Sequence, residues 1–229
     1  MKLLTKTLAA ASIATAALAA VPAAAQVSGN IAVVNPPATV AASTALGNAY
    51  QQINTTYASQ ITQIQQKQQQ AQTLLQQLDT NSDGNLDQAE QQAAQSAPQA
   101  QQLQTLEAEI GQLQNQIDAA RVYAVEQILV QYSAALQSVT TADNIQVVLS
   151  PDAVTWSNPA TNINSKVVAA LNARVPSVQI TPPQGWQPSQ QAVAVFQQVQ
   201  QIYMMAARQQ AAVAAQQQQQ QQPAQPSGR

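Results

Sequence analysis

Two residue types are missing from the 229-residue chain altogether: cysteine and histidine. Without cysteine there is no disulfide framework and no thiol nucleophile. Without histidine the commonest general base and the commonest metal ligand are gone. Charged residues make up 8% and aromatics 3%, with a single phenylalanine, so one large globular core is excluded. Lysine and arginine total 8 and are scattered, whereas binding a phosphate backbone needs them clustered. A nucleic-acid partner is therefore not expected.

What is present divides the chain. Residues 1–25 read as a secretory signal peptide. Lys2 and Lys6 supply the basic start, Leu8 to Val21 the apolar region, and Ala23-Ala24-Ala25 the small-residue cleavage site. The apolar region is about 14 residues, short of the roughly 20 that a spanning helix needs. Cleavage near Ala25 would leave six basic against ten acidic residues and no transmembrane anchor.

Beyond the leader, Ile31-Ala32-Val33-Val34-Asn35 is a short apolar run, read as a buried strand broken by Pro36-Pro37. From about Ser43 to Leu78 the pattern turns helical. Ile53, Tyr57, Ile61, Ile64, Ala71, Leu75 and Leu78 form the stripe, and glutamine, a good helix former, fills the other faces. A short helical piece follows at about Asp87–Gln95. A second long helix is predicted to start at Ser96-Ala97-Pro98-Gln99, with Ser96 as cap and Gln99 closing a capping box, and to end near Thr140. Its stripe of Leu103, Leu106, Ile110, Leu113, Ile117 and Ala120 is spaced as a heptad seam. Two long helices joined by a polar turn make an antiparallel hairpin. Ile145–Leu149 reads as a returning strand, Ser150-Pro151-Asp152 as a turn, and Val154-Thr155-Trp156 as another strand. Asn162–Val175 is helical, Pro176–Pro188 extended, and Ser189–Ala215 a third helix.

The resulting prediction is an α+β, mostly α fold. A long antiparallel coiled-coil arm (43–140) stands on a small β-body (26–42 and 141–188), followed by a helix (189–215) and a disordered glutamine-rich tail (216–229). Three short strands bury little, so the base is expected to oligomerise. Trp156 and Trp186 are expected to pack in that base. Tyr203-Met204-Met205, together with Phe196, Val199 and Ile202, is expected to seat the last helix on it, the alternative being a partner-binding face.

Between the arm helices lies the chain's most specific chemical motif, residues 79–90. Asp79, Asn81 and Asp83 place oxygens at loop positions 1, 3 and 5, and Gly84 sits at position 6 for the sharp turn. Asn85 offers its carbonyl at position 7, Asp87 lies at position 9, and Glu90 is the bidentate ligand at position 12. This is the pattern of an EF-hand calcium loop, in which a hard cation takes six to eight oxygens. Four of the chain's ten acidic residues fall inside these twelve positions, and turn chemistry alone does not require Asp79, Asp87 and Glu90. Ca2+ is the expected ligand, in a structural or modulatory role.

The order of leader, Ile31–Asn35 strand, long hairpin and the stretch Ile145-Gln146-Val147-Val148-Leu149-Ser150-Pro151-Asp152-Ala153-Val154-Thr155-Trp156 resembles the Skp/OmpH family of periplasmic chaperones, as does Asn162-Ile163-Asn164 before the next helix. The resemblance spans about residues 26 to 175. It implies a homotrimer whose β-body carries helical arms around a cavity. Unfolded outer-membrane proteins would be held there without ATP or catalytic residues. Well-known members are basic, whereas this chain is mildly acidic. The function expected is thus a periplasmic holdase, not an enzyme; the alternative is a calcium-binding structural or adaptor protein of the cell envelope.

Overall fold

A computed structural model describes residues 30–221, with side chains through residue 217. The predicted leader and the tail beyond Gln221 lie outside the described residues. Strand β1 (Asn30–Val33) leads directly into helix α1 (Pro36–Ala41). Pro36-Pro37 therefore starts a helix and does not break the chain. The proline ring presets helical φ, and its missing N–H is one that a first turn leaves unpaired. The Asn35 side chain caps the turn by accepting from Ala38 N at 3.0 Å.

The first arm helix is divided into α2 (Thr44–Thr56) and α3 (Ala58–Leu78), with Tyr57 between them at φ −99°, ψ 18°. Asn54-Thr55-Thr56 precedes the break, and all three are poor helix formers. The Thr55 hydroxyl donates back to the Gln51 carbonyl, a bond that bends helices. Helix α4 (Gln88–Ala94) follows the acidic loop, and α5 (Pro98–Ala142) returns to the base. Pro98 occupies the first turn of α5, but Ala97 stands at the cap position without a side-chain bond. Ser96 instead donates to the Ala93 carbonyl, closing off α4, so the expected Ser96–Gln99 capping box does not form. At its far end α5 stops at Asn144, whose φ of 51° is left-handed; asparagine tolerates this conformation better than most residues.

Strand β2 (Ile145–Leu149) pairs with β1 in parallel, Ile31 opposite Val147 and Val33 opposite Leu149. Parallel neighbours cannot be joined by a tight turn. Here the crossover is the whole arm. Among the described residues the sheet has two strands. Val154–Trp156 does not join it; this segment lies between two single-turn 3-10 helices, Pro151–Ala153 and Pro159–Thr161. The third rung on β1 comes later, where Ile163 N donates to Val33 O at 3.0 Å.

Helices α6 (Asn164–Arg174) and α7 (Gln190–Gln221) complete the base. The core is mainly helical. Val40, Leu46, Ile53, Val125, Ile128, Val167, Leu171 and Val199 are fully buried within it. Burying eight such side chains at roughly 1.5–3 kcal/mol each makes the base the stable part of the molecule. Trp186 packs as expected, edge-on to Tyr123 with ring centroids 5.1 Å apart. Trp156 does not; it is 83% exposed. The backbone of α7 stays helical through Gln221, so residues 216–221 are not the irregular tail that composition suggested. Glutamine's helix propensity carries the helix past its docked part.

Candidate functional site

The arm is built differently from the base. Its partners run in opposite directions along the seam: Arg121 lies over the Tyr50 ring and Lys67 bonds Glu109. Toward the tip, Leu74 shares a groove with Gln102. Ile61, Ile64, Ala71, Leu74 and Leu78 of α3 are half-buried, and no residue of α3 is fully buried. Leu74, not Leu75, enters the seam, and Leu75 is 44% exposed. The spacing from Ala71 permits either position, since three and four residues both return to the same face. Lys67 fills the place where the stripe lacks an apolar residue, its stem along the seam and its ammonium on Glu109.

Between α3 and α5 near the tip lies an open groove of about 720 Å³. Leu74, Leu106 and Pro98 give it an apolar floor. Gln70, Thr73, Gln101, Gln102 and Thr105 surround it with uncharged hydrogen-bonding groups. Such a lining accepts varied side chains and also offers donors and acceptors to an extended backbone.

At the tip, residues 79–90 curl as the sequence suggests, but with their oxygens turned to backbone amides. Asp79 accepts from Asp83 N (3.2 Å) and Gly84 N (2.8 Å). Asn81 accepts from Asp83 N and Asp83 from Asn85 N. Gly84 takes φ 84°, the left-handed geometry a side chain would strain. Asp87 caps α4 and forms a capping box with Glu90. Glu90 is 6% exposed. One oxygen accepts from the Thr80 amide and hydroxyl, both at 2.7 Å, and from Asn81 N at 3.1 Å; the other accepts from Asp87 N. The Thr80 hydroxyl is the largest of the influences that hold its carboxyl below the usual glutamate range. The surrounding amides add to it, and they outweigh the opposing effect of burial.

Of the six expected calcium ligands, then, the structure gathers all into one curled loop. It does not converge their carboxylates: among the described residues no three acidic side chains approach closely enough to hold a metal ion. Thr80 is the loop residue that the ligand pattern passes over, because its hydroxyl sits at a position the pattern leaves free.

A second carboxylate at the base was not legible from spacing. Glu126 of α5 accepts from the Trp186 indole at 2.7 Å and from Ser189 N at 3.0 Å. Burial pushes its carboxyl up, but these donors together with the Ser189 hydroxyl outweigh it and hold the group below the usual range. Glu126 thereby ties the start of α7 to the root of the arm.

A parallel strand pair crossed over by a long helical hairpin, with a helical core at its foot, defines an arm-on-base protein. The chain belongs to the OmpH-like outer membrane protein family, which matches residues 30–171. No curated protein matches it. Among solved structures, the chain is similar to a Caulobacter crescentus protein described as a proposed outer membrane chaperone (OmpH-like). The two are 21% identical, and the match covers 68% of this chain and 91% of that one with a TM-score of 0.37. No helix among the described residues is long and apolar enough to cross a membrane.

Proposed function

We propose that the protein is a periplasmic holdase that keeps unfolded outer-membrane β-barrel proteins soluble without ATP, working as an oligomer joined through its base. Family membership supports the outer-membrane theme. The observation that carries the reading is the arm itself, in which no residue of α3 is fully buried and whose groove pairs Leu74 and Leu106 with glutamine and threonine. A groove of that kind binds many sequences weakly, which is what a holdase requires. The exposed Trp156 (83%) and Ile31 (43%) supply apolar surface for joining bases; Asn158, two residues from Trp156, shares a groove with Ile31. A trimer is the expected assembly. A photo-crosslinker at Leu106 should label an unfolded barrel client, whereas one at Ala169, on the exposed side of α6, should not. Equal labelling at both sites would remove the arm from the reaction.

Calcium modulation is a second reading, favoured by the curl that Asp79 and Gly84 impose on the tip and by helices α3 and α4 directly flanking it. Binding would require the Glu90 carboxylate to leave its amides for the ion. Affinity would then be weak, on the order of 10⁻⁴–10⁻³ M, as in extracellular modules. Calorimetry at millimolar calcium should show heat in the native chain and none in Glu90→Gln. An absence of heat in both would reject it.

A further inference from the structure

The arm tip carries covalent chemistry that neither client holding nor metal binding uses. Asp83 is the one aspartate or asparagine of the chain that is followed by glycine. An aspartate carboxyl reaches the backbone nitrogen of the next residue, and bonding to it closes a five-membered ring. The next side chain ordinarily crowds that nitrogen. At Gly84 there is none: even a Cβ built there would meet nothing within 4 Å, and residues 81–85 are all exposed.

The loop's hydrogen bonds arrange the reacting groups. Gly84 N donates to Asp79 Oδ2 at 2.8 Å. An N–H lies in its amide plane, so this bond leaves the face of the nitrogen free and places a carboxylate to take its proton. Asp83 Oδ1 accepts from Asn85 N at 2.8 Å, and Oδ2 accepts from the Asn81 side-chain amide at 3.2 Å. The first bond folds the Asp83 carboxyl toward the segment that contains Gly84 N. Both donors stabilise negative charge on these oxygens as Cγ becomes tetrahedral. Nucleophile, proton acceptor and oxyanion donors are therefore neighbours on one exposed turn, and such proximity accelerates ring closure. The loop's other aspartates lack this arrangement. Asp79 precedes the β-branched Thr80, whose amide is given to Glu90 at 2.7 Å. Asp87 precedes Gln88, which is fixed in the first turn of α4.

We propose that Asp83-Gly84 is a site of spontaneous isoaspartate formation, an ageing modification at the tip of the arm. Gly84 N bonds to Cγ of the protonated Asp83 carboxyl while the amide proton passes to Asp79. The Asp83 hydroxyl then leaves with that proton as water, and a succinimide remains. Water opens the ring in either of two ways. Attack at Cγ restores aspartate. Attack at the Asp83 backbone carbonyl yields isoaspartate, with the main chain running through the side chain and one carbon longer. Water is the sole co-reactant. The longer main chain moves the Gly84 and Asn85 amides off the oxygens they now meet, so the aged tip loses its curl. This chemistry is independent of the holdase reading.

The full chain would be aged for weeks in calcium-free neutral buffer at physiological temperature and then digested. Electron-transfer fragmentation of the peptides separates isoaspartate from aspartate. The expected result is isoaspartate at position 83 several-fold above that at any other aspartate or asparagine, preceded by a form one water lighter. Asp83→Glu should show none there, because its ring would need six members and closes far more slowly. Asp79→Asn keeps an acceptor beside Gly84 N but cannot take the proton, and it should slow the reaction several-fold. Isoaspartate spread evenly over the chain, or none at position 83, would overturn the proposal. An unchanged rate in Asp79→Asn would overturn it too.

Discussion

The Tyr203 hydroxyl donates to the Ala41 carbonyl at 2.7 Å, joining α7 to the last residue of α1 across 162 positions of chain. The same ring stands edge-on to Tyr50, with centroids 5.5 Å apart, and Gln200 reaches the Tyr50 hydroxyl. Through these contacts α7 holds α1 and α2 together at the root of the arm.

Removing that hydroxyl leaves the ring in place but the Ala41 carbonyl without its donor. Tyr203→Phe should cost about 1 kcal/mol, read as a lower urea midpoint with an unchanged slope. Burial also raises the Tyr203 phenol above its ordinary value, and that of Tyr50 more strongly. In both the folded state holds its proton after the unfolded chain has lost it. Stability is therefore full below about pH 10 and falls as pH rises beyond it, and less steeply in Tyr203→Phe. Denaturant midpoints measured between pH 8 and 11 check this.

Base and arm should separate by mutation. Ile128 is fully buried in the base, so Ile128→Ala should cost about 2–5 kcal/mol. Leu74 is half-buried beside an open groove, so Leu74→Ala should cost less than about 1 kcal/mol while weakening client binding several-fold. Chemical denaturation and a client-binding titration, run on both variants, distinguish the two effects.

Trp156 tests the joining of bases. Trp156→Asp should leave the monomer's melting behaviour intact, since an 83% exposed ring contributes little to its own chain. The same substitution should shift the assembly toward monomer in sedimentation. In the native assembly, acrylamide should quench Trp156 less than exposure in the single chain implies.

The tip should be acid-sensitive. Because the Glu90 carboxyl is held below the usual range, its contribution to the loop is complete above the ordinary glutamate value. It is lost as pH falls through the lower folded value. Hydrogen exchange at the Thr80, Asn81 and Asp87 amides, corrected for intrinsic rates, should be slow at pH 5 and lose its protection in stronger acid. Glu90→Ala should abolish that protection at every pH without moving the base.

Much of this architecture was legible from periodicity and punctuation. The α5 seam at Ile110, Leu113, Ile117 and Ala120 and the strand Ile145–Leu149 stand where spacing places them, and α7 begins one residue after the expected Ser189. What escaped depended on contacts distant in sequence or on choices that spacing leaves open. Pro36-Pro37 breaks or begins a helix according to the residue before it, and Asn35 supplies the cap. Leu74 and Leu75 are equivalent by period until α5 decides between them. Val154-Thr155-Trp156 has strand composition, but β1 takes its further rung from Ile163. At the tip, spacing located the curled loop, while the engagement of Glu90 by Thr80 required the loop's own geometry.

The most direct test is suppression of aggregation. A urea-unfolded outer-membrane barrel would be diluted into nucleotide-free buffer with and without the purified protein, and light scattering recorded. The holdase account predicts that scattering is abolished at near-stoichiometric oligomer and restored in part by Leu74→Ala. Scattering that is unchanged by the native protein, across several barrel clients, would contradict it.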